Sequence, residues 1–414
     1  MSKNLIAVVM TTIVVLAGTG NVAAMDVDIH GTVSQGWMKS SEYNFLAEHT
    51  EDGTFSFNEA LINLSTRIDS RTRIGMQLIA RDLGGAGNNE FVLDWAFGDY
   101  RWKDYLGFRA GKVKTPLGFY NKTRDVDFLR TSVLLPQSVY NEGWRAVTSA
   151  FEGFSAYGNV SLGSTAGVDY EVFGGTIEMD NSRFLDYLGP QIIPGAPVLD
   201  YDIEADWIAG GQISVDTPID GLRVGATYMT LEMDTRTTLA TGTPTPVELD
   251  LHLEMNKTYV LSAEYQRENL TLSAEYTRID ADMLFSNIPY PVDTDGDGVP
   301  DTVMMVEMED GDQRGGYYIN GSYRVSPRFE FGTYYSVFHP DWDNRDGEGL
   351  ANDFEAWTKD ICVTARFDIT DNWLLKAEGH FFNGTGQVDG NINPDASFDE
   401  ESWQLFAVKS SFFF

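Results

Sequence analysis

Seven bases, Arg109, Lys112, Lys114, Lys122, Arg124, Arg130 and Arg145, are the first residues whose type and spacing imply chemistry. The stretch from Arg101 to Arg145 carries nine bases and four acids in a chain of formal net charge -33. Gathered at a narrow, partly desolvated point, such bases attract anions and favour their passage. Set against acids on a facing wall, the same bases would be neutralised, leaving a transverse field and little selectivity. A second group is acidic: Asp293, Asp295, Asp297 and Asp301 take positions 1, 3, 5 and 9 of a segment with Gly298 at position 6. That spacing lets one tight turn wrap carboxylate oxygens around a hard cation, so calcium is the cofactor expected there. Met304 stands at position 12, where calcium loops place a bidentate Glu. Ten acids and no base lie between Asp280 and Asp312, so a solvated, self-repelling loop is the other reading.

Hydrolytic chemistry finds little support. The five histidines form no H-E-x-x-H pair, and neither a G-x-S-x-G elbow nor a phosphate-cradling G-x-x-x-x-G-K occurs. No catalytic residue is assigned. His252 and His380 fall on polar phases of alternating segments, and Cys362 shares the phase of Thr364 and Arg366, so all three are expected to line a lumen.

The whole chain limits what these groups can serve. With 62 acids against 29 bases among 414 residues, it lacks the basic surplus that phosphate backbones require, which excludes nucleic acid. A single cysteine excludes an internal disulfide framework and any multi-cysteine zinc site. Lys3, the uncharged run Leu5 to Ala17 and the small residues ending at Ala24 read as a secretory signal peptide over 1–24. Beyond it no apolar run approaches the ~18 residues of a membrane helix, so residues 25–414 can span a membrane only as a closed barrel.

Period-two alternation supplies that barrel. From Leu249 to Tyr265 the odd positions are apolar apart from Lys257, while Asp250, His252, Glu254 and Glu264 stand on even ones. Ile74 to Ala80, Val168 to Val172 and Trp373 to Phe381 repeat the pattern, which a helix cannot produce. Tight joints near 68–71, 102–105, 163–167, 216–221, 267–269, 325–327 and 369–372 alternate with longer segments near 39–54, 84–90, 112–148, 178–204, 236–248, 282–314, 339–356 and 384–400. Seven turns and eight loops connect sixteen strands. The reading is an all-β, 16-stranded antiparallel transmembrane β-barrel with short periplasmic turns and long extracellular loops.

Phe406, Val408, Phe412 and Phe414 share one phase in the last strand, and the final residue is aromatic. With this ending the chain resembles Gram-negative outer-membrane porins. The segment Gly111-Lys112-Val113-Lys114-Thr115-Pro116-Leu117-Gly118-Phe119-Tyr120, with Arg124-Asp125, resembles the start of the third loop in the phosphate-selective and related group. The resemblance implies an outer-membrane location, a homotrimer and an inward-folded 112–148 loop that forms the constriction. Small hydrophilic solutes or ions would then be the cargo, with lipopolysaccharide and outer-membrane lipid around the barrel. A barrel enzyme and a calcium-dependent surface structural protein are the alternatives.

Overall fold

A computed structural model describes residues 26–83, 89–163, 165–177, 198–240, 246–292 and 302–414. Signal-peptide residues 1–24 and the calcium candidates Asp293, Asp295, Asp297 and Asp301 lie outside the described residues. The first eight strands are β1 (Val27–Ser40), β2 (Phe57–Arg67), β3 (Thr72–Leu83), β4 (Val92–Lys103), β5 (Leu106–Lys114), β6 (Ala150–Leu162), β7 (Ala166–Thr176) and β8 (Val198–Asp216). The others are β9 (Leu222–Leu239), β10 (Val247–Arg267), β11 (Leu270–Val292), β12 (Thr302–Ser326), β13 (Phe329–His339), β14 (Thr358–Thr370), β15 (Trp373–Asn383) and β16 (Ser402–Phe413). Every strand pairs with its sequence neighbours, and β1 pairs antiparallel with β16, so the sheet closes as a 16-strand barrel without an edge. Closure satisfies the backbone groups that lipid would leave unpaired.

The seven expected turns all fall on tight joints at one end of the barrel. In the β2–β3 turn the Asp69 carboxylate accepts the backbone N–H groups of Arg71 at 2.7 Å and Thr72 at 2.9 Å. At the other end the strands run further than alternation suggested. Residues 282–292 and 302–314, expected in a loop, belong to β11 and β12, which stay paired as far as Val292 and Thr302.

Strand faces sort by polarity. Along β15, Leu375 and Phe381 point outward and are exposed, while Lys376, Glu378 and His380 point inward and are buried. The outer surface also shows Ile74, Phe108, Phe154, Val172, Ile319, Phe367 and Phe406, an apolar coat suited to lipid. Trp102 and Tyr105 flank the β4–β5 turn with ring centroids 6.5 Å apart, where an aromatic girdle belongs.

β10 departs from the continuous alternation expected of it. Leu249, Leu251, Leu253 and Met255 are buried inside, whereas Leu261, six residues after Met255 in the same sequence phase, is half-exposed on the outer face. Register shifts between Glu254 and Lys257 against β11, and between Met255 and Thr258 against β9, reverse the faces. Beyond the lipid the outer face meets water, so apolar residues turn inward; within lipid they turn outward. His252 is therefore on the outer face rather than in the lumen, with Nδ1 at 2.7 Å from Asp234. His380 and Cys362 do face inward.

Candidate functional site

Past Lys114 the chain leaves the wall and residues 115–149 fold into the lumen, carrying two short 3-10 turns and the single helical turn α1 (Arg145–Thr148). The departure is built from Leu117-Gly118-Phe119-Tyr120. Gly118 has φ +57, and a Cβ there would strike the Tyr140 hydroxyl and the Glu275 carboxylate. Its N–H donates to Thr227 Oγ1 on β9 at 3.2 Å, and the next N–H, of Phe119, donates to Glu275 Oε1 on β11 at 2.8 Å. The Phe119 ring lies against Gly225, with the Arg223 guanidinium 4.2 Å from its centroid. Tyr120 donates its hydroxyl to Glu264 at 2.5 Å. Glu275 also accepts from Tyr140 and, at 2.7 Å, from Tyr318.

The far side of the lumen holds the segment a second time. Asp127 lies 2.9 Å from Lys409 on β16 and 3.0 Å from Arg130, and Lys376 on β15 donates to its carbonyl at 2.6 Å. Glu378 accepts the N–H groups of Val133 at 2.7 Å and Leu134 at 3.0 Å. Arg366 on β14 donates to the Phe128 carbonyl at 2.6 Å. Anchored from β9 and β11 across to β14, β15 and β16, the segment divides the barrel.

The seven expected bases reach different places. Lys114 bridges Asp94 and Asp125 at 2.8 and 2.6 Å, and Arg145 pairs with Asp125 and lies 3.7 Å from Glu142. Arg124 holds Glu142 at 2.7 Å, with Arg81 of β3 on the same carboxylate at 2.9 Å. Arg130 stays with Asp127. Arg109 and Lys122 meet on Glu171 of β7, Arg109 at 3.0 Å and stacked on Tyr157 at 4.0 Å from its ring centroid. Lys112 is still on β5, opposite Glu152 in the β5–β6 register, and takes no part in these pairs.

Burial alone would push the segment's carboxylates up, yet the opposite charges win. Arg145 and Lys114 hold Asp125 well below the usual carboxylate range, Lys409 and Lys376 do the same for Asp127, and Arg124 and Arg81 for Glu142. Fixed, ionised pairs of this kind make a rigid charged partition. Sequence reading missed the wall groups that hold it: Asp94, Glu171, Glu275, Lys376, Glu378 and Lys409. Their signal was a charged residue in the inward phase of a strand, as in Lys376-x-Glu378-x-His380.

Above the partition the lumen is partly filled. Phe151, Phe173, Ile208, Met229, Leu231 and Met255 form an apolar cluster on the inner faces of β6 to β10, with Val147 of the inward segment packed into it.

No family model and no curated protein matches the chain. Solved structures do. The trimer form of OmpT, an outer membrane protein of Vibrio cholerae, aligns with TM-score 0.53 at 11% identity, over 94% of this chain and 100% of that one. An anion-selective porin from Comamonas acidovorans gives TM-score 0.51 at 13% identity, over 94% and 100%. OmpF of Salmonella typhi, in complex with daunomycin, gives 0.51 at 15% identity, over 94% and 97%. At such identities the likeness is one of architecture, and the fold of this chain is that of the outer-membrane porins.

Proposed function

We propose that the protein is a passive diffusion porin of the outer membrane, passing small hydrophilic solutes, with a preference for anions set at Arg109 and Lys122. The observation that carries the reading is the inward segment 115–149, held across the lumen of a closed barrel by wall residues on opposite sides. A partition in that position narrows a channel without closing the sheet around it.

The proposed preference rests on how unevenly the bases are compensated. Lys114, Arg124, Arg130 and Arg145 are buried within ion pairs and present little charge to water. Arg109 and Lys122 instead share one carboxylate, and their side chains are 20% and 34% exposed against 6% for Glu171. Asp99, opposite Arg109 and bound to the Tyr157 hydroxyl, is the next acid, so the proposed preference rests on the exposure of the Arg109 and Lys122 side chains beside a buried Glu171. Export through the 1–24 segment, a homotrimer, lipopolysaccharide contacts at the outer rim and a calcium ion at 293–301 complete the proposal.

Planar-bilayer recording in a salt gradient tests it. Stepwise conductance with a reversal potential of anionic sign is expected, and Arg109→Gln with Lys122→Gln should move that potential towards cations. A potential unmoved by the pair would place the filter elsewhere, and absence of conductance would remove the porin reading.

A further inference from the structure

We propose that Cys362, Glu378 and His380, supported by Asp360, form a binding site for a borderline-soft divalent transition metal of the zinc or cobalt kind. The β14–β15 register sets Cys362 directly opposite His380, and Asp360 and Glu378 lie two residues away in the same inward phase. One ligand atom from each of Cys362, Glu378 and His380 falls within 4.8 Å of the other two. His380 Nε2 lies 3.0 Å from Glu378 Oε1, and Cys362 Sγ lies 3.9 Å from Glu378 Oε2. Metal–sulfur bonds of about 2.3 Å and metal–nitrogen bonds of about 2.0 Å put tetrahedral ligands roughly 3.5 Å apart, which small side-chain rotations reach from here.

The surroundings favour a metal over a simple polar cluster. Residue exposures are 6% for Asp360, 0% for Cys362, 1% for Glu378 and 2% for His380. Asp360 Oδ2 lies 2.8 Å from His380 Nδ1, the outer carboxylate that fixes ring orientation in histidine metal sites. Its other oxygen, Oδ1, has no hydrogen-bond partner of good geometry among the described residues, although the Tyr334 hydroxyl neighbours the same carboxylate. A buried carboxylate oxygen left in that state is costly unless water reaches it, and the cost concerns the outer carboxylate rather than the metal's own ligands. Sulfur and imidazole donors select against calcium and magnesium, which take oxygen shells.

Binding would form metal–sulfur, metal–nitrogen and metal–oxygen bonds and release to solvent the thiol proton and any proton on Nε2. Glu378 would then be shared between the metal and the Val133 and Leu134 N–H groups, fastening the inward segment to β15.

Cobalt is the probe, because thiolate ligation gives a charge-transfer absorption that carboxylates cannot. The full chain is refolded into detergent with Co(II), and free metal is removed. One cobalt per chain with the thiolate band is expected, stable to excess calcium. Cys362→Ser should abolish the band and lower retention at least tenfold while the barrel keeps its heat-modifiable mobility. His380→Ala serves as a second variant if it folds. A wild-type protein lacking the band, or cobalt held equally by Cys362→Ser, would overturn the proposal.

Discussion

Asp127, in the first half of the segment that crosses the lumen, lies 2.9 Å from Lys409 on the strand that closes the barrel against β1. Lys409 also pairs with Glu59 of β2, so one ammonium joins the partition to both sides of the closing seam. Both groups are buried, and the assembly of the wall and the seating of the partition are thereby coupled.

Removing the acid from that seam should be expensive. Asp127→Ala takes its carboxylate from Lys409, Arg130 and Lys376, while Lys409 keeps Glu59 and Lys376 keeps main-chain carbonyls, so the loss should lie at or below the ~3–5 kcal/mol typical of breaking a buried pair from one side. The midpoint for loss of the compact form on detergent gels should fall, and single-channel conductance should rise as the segment loosens. Pairing the change with Lys409→Met should recover part of the midpoint. An unaltered midpoint in Asp127→Ala would mean that the seam does not depend on this contact.

The same pairs fix an acid dependence. Opposing bases depress Asp125, Asp127 and Glu142, so their ionised forms favour the folded state. The stabilisation is complete above the unfolded carboxylate values of ~4 and is lost as pH falls from there through the depressed folded values. Conductance should hold constant from neutral pH down to about 5 and rise only well below the ordinary carboxylate range. A step near pH 6 would implicate groups other than these three.

Calcium should act on Asp293, Asp295, Asp297 and Asp301, which lie in sequence between the paired residues Val292 and Thr302. Four carboxylates confined there would repel one another by about 1 kcal/mol or more per close pair, and a divalent ion removes that cost. In lipid-free detergent, calcium should slow proteolysis between Asp282 and Arg314, and Asp295→Asn with Asp297→Asn should abolish the effect. Equal cleavage with calcium and with chelator would leave a solvated acidic loop. Protection that needs added lipopolysaccharide would assign the ion to the lipid.

Strand number was legible because it is local: alternation marks a strand, and a joint such as Ile68 to Arg71 marks a turn, whereas closure, which pairs β1 with β16, followed from the exclusion of membrane helices and open sheet edges. An inward path for 112–148 was an expectation of the family resemblance, and the Gly118-Phe119-Tyr120 run of the motif that carried it is where the segment meets β9 and β11. Its charge compensation was legible only as an alternative, bases set against acids of a facing wall, and not as particular partners. Glu171 and Glu142 meet their bases only through the curvature of the wall and the path of the segment, which no spacing within 101–145 encodes. The strand extensions were hidden for a different reason. Asp282 reads as a loop residue, yet it occupies a strand position beyond Ala281, where a polar outer face is what water requires.

The phase reversal in β10 gives the last test, because sequence alternation alone would treat Leu253 and Leu261 alike. Leu253 is 1% exposed within the apolar filling, while Leu261 is 50% exposed on the outer face. Leu253→Ala should leave a cavity that its packed neighbours cannot refill, costing ~2–5 kcal/mol. Leu261→Ala exchanges one apolar group for a smaller one against lipid and should cost less. Arginine reverses the severity: Leu261→Arg faces hydrocarbon, where the charge costs up to ~2–4 kcal/mol near the midplane, and should slow insertion into vesicles. His252→Arg, on the outer face beside Asp234 and Glu232, should insert normally. Urea titrations of folding into vesicles report both effects, and equal losses for the two alanine variants would mean that β10 keeps one face throughout.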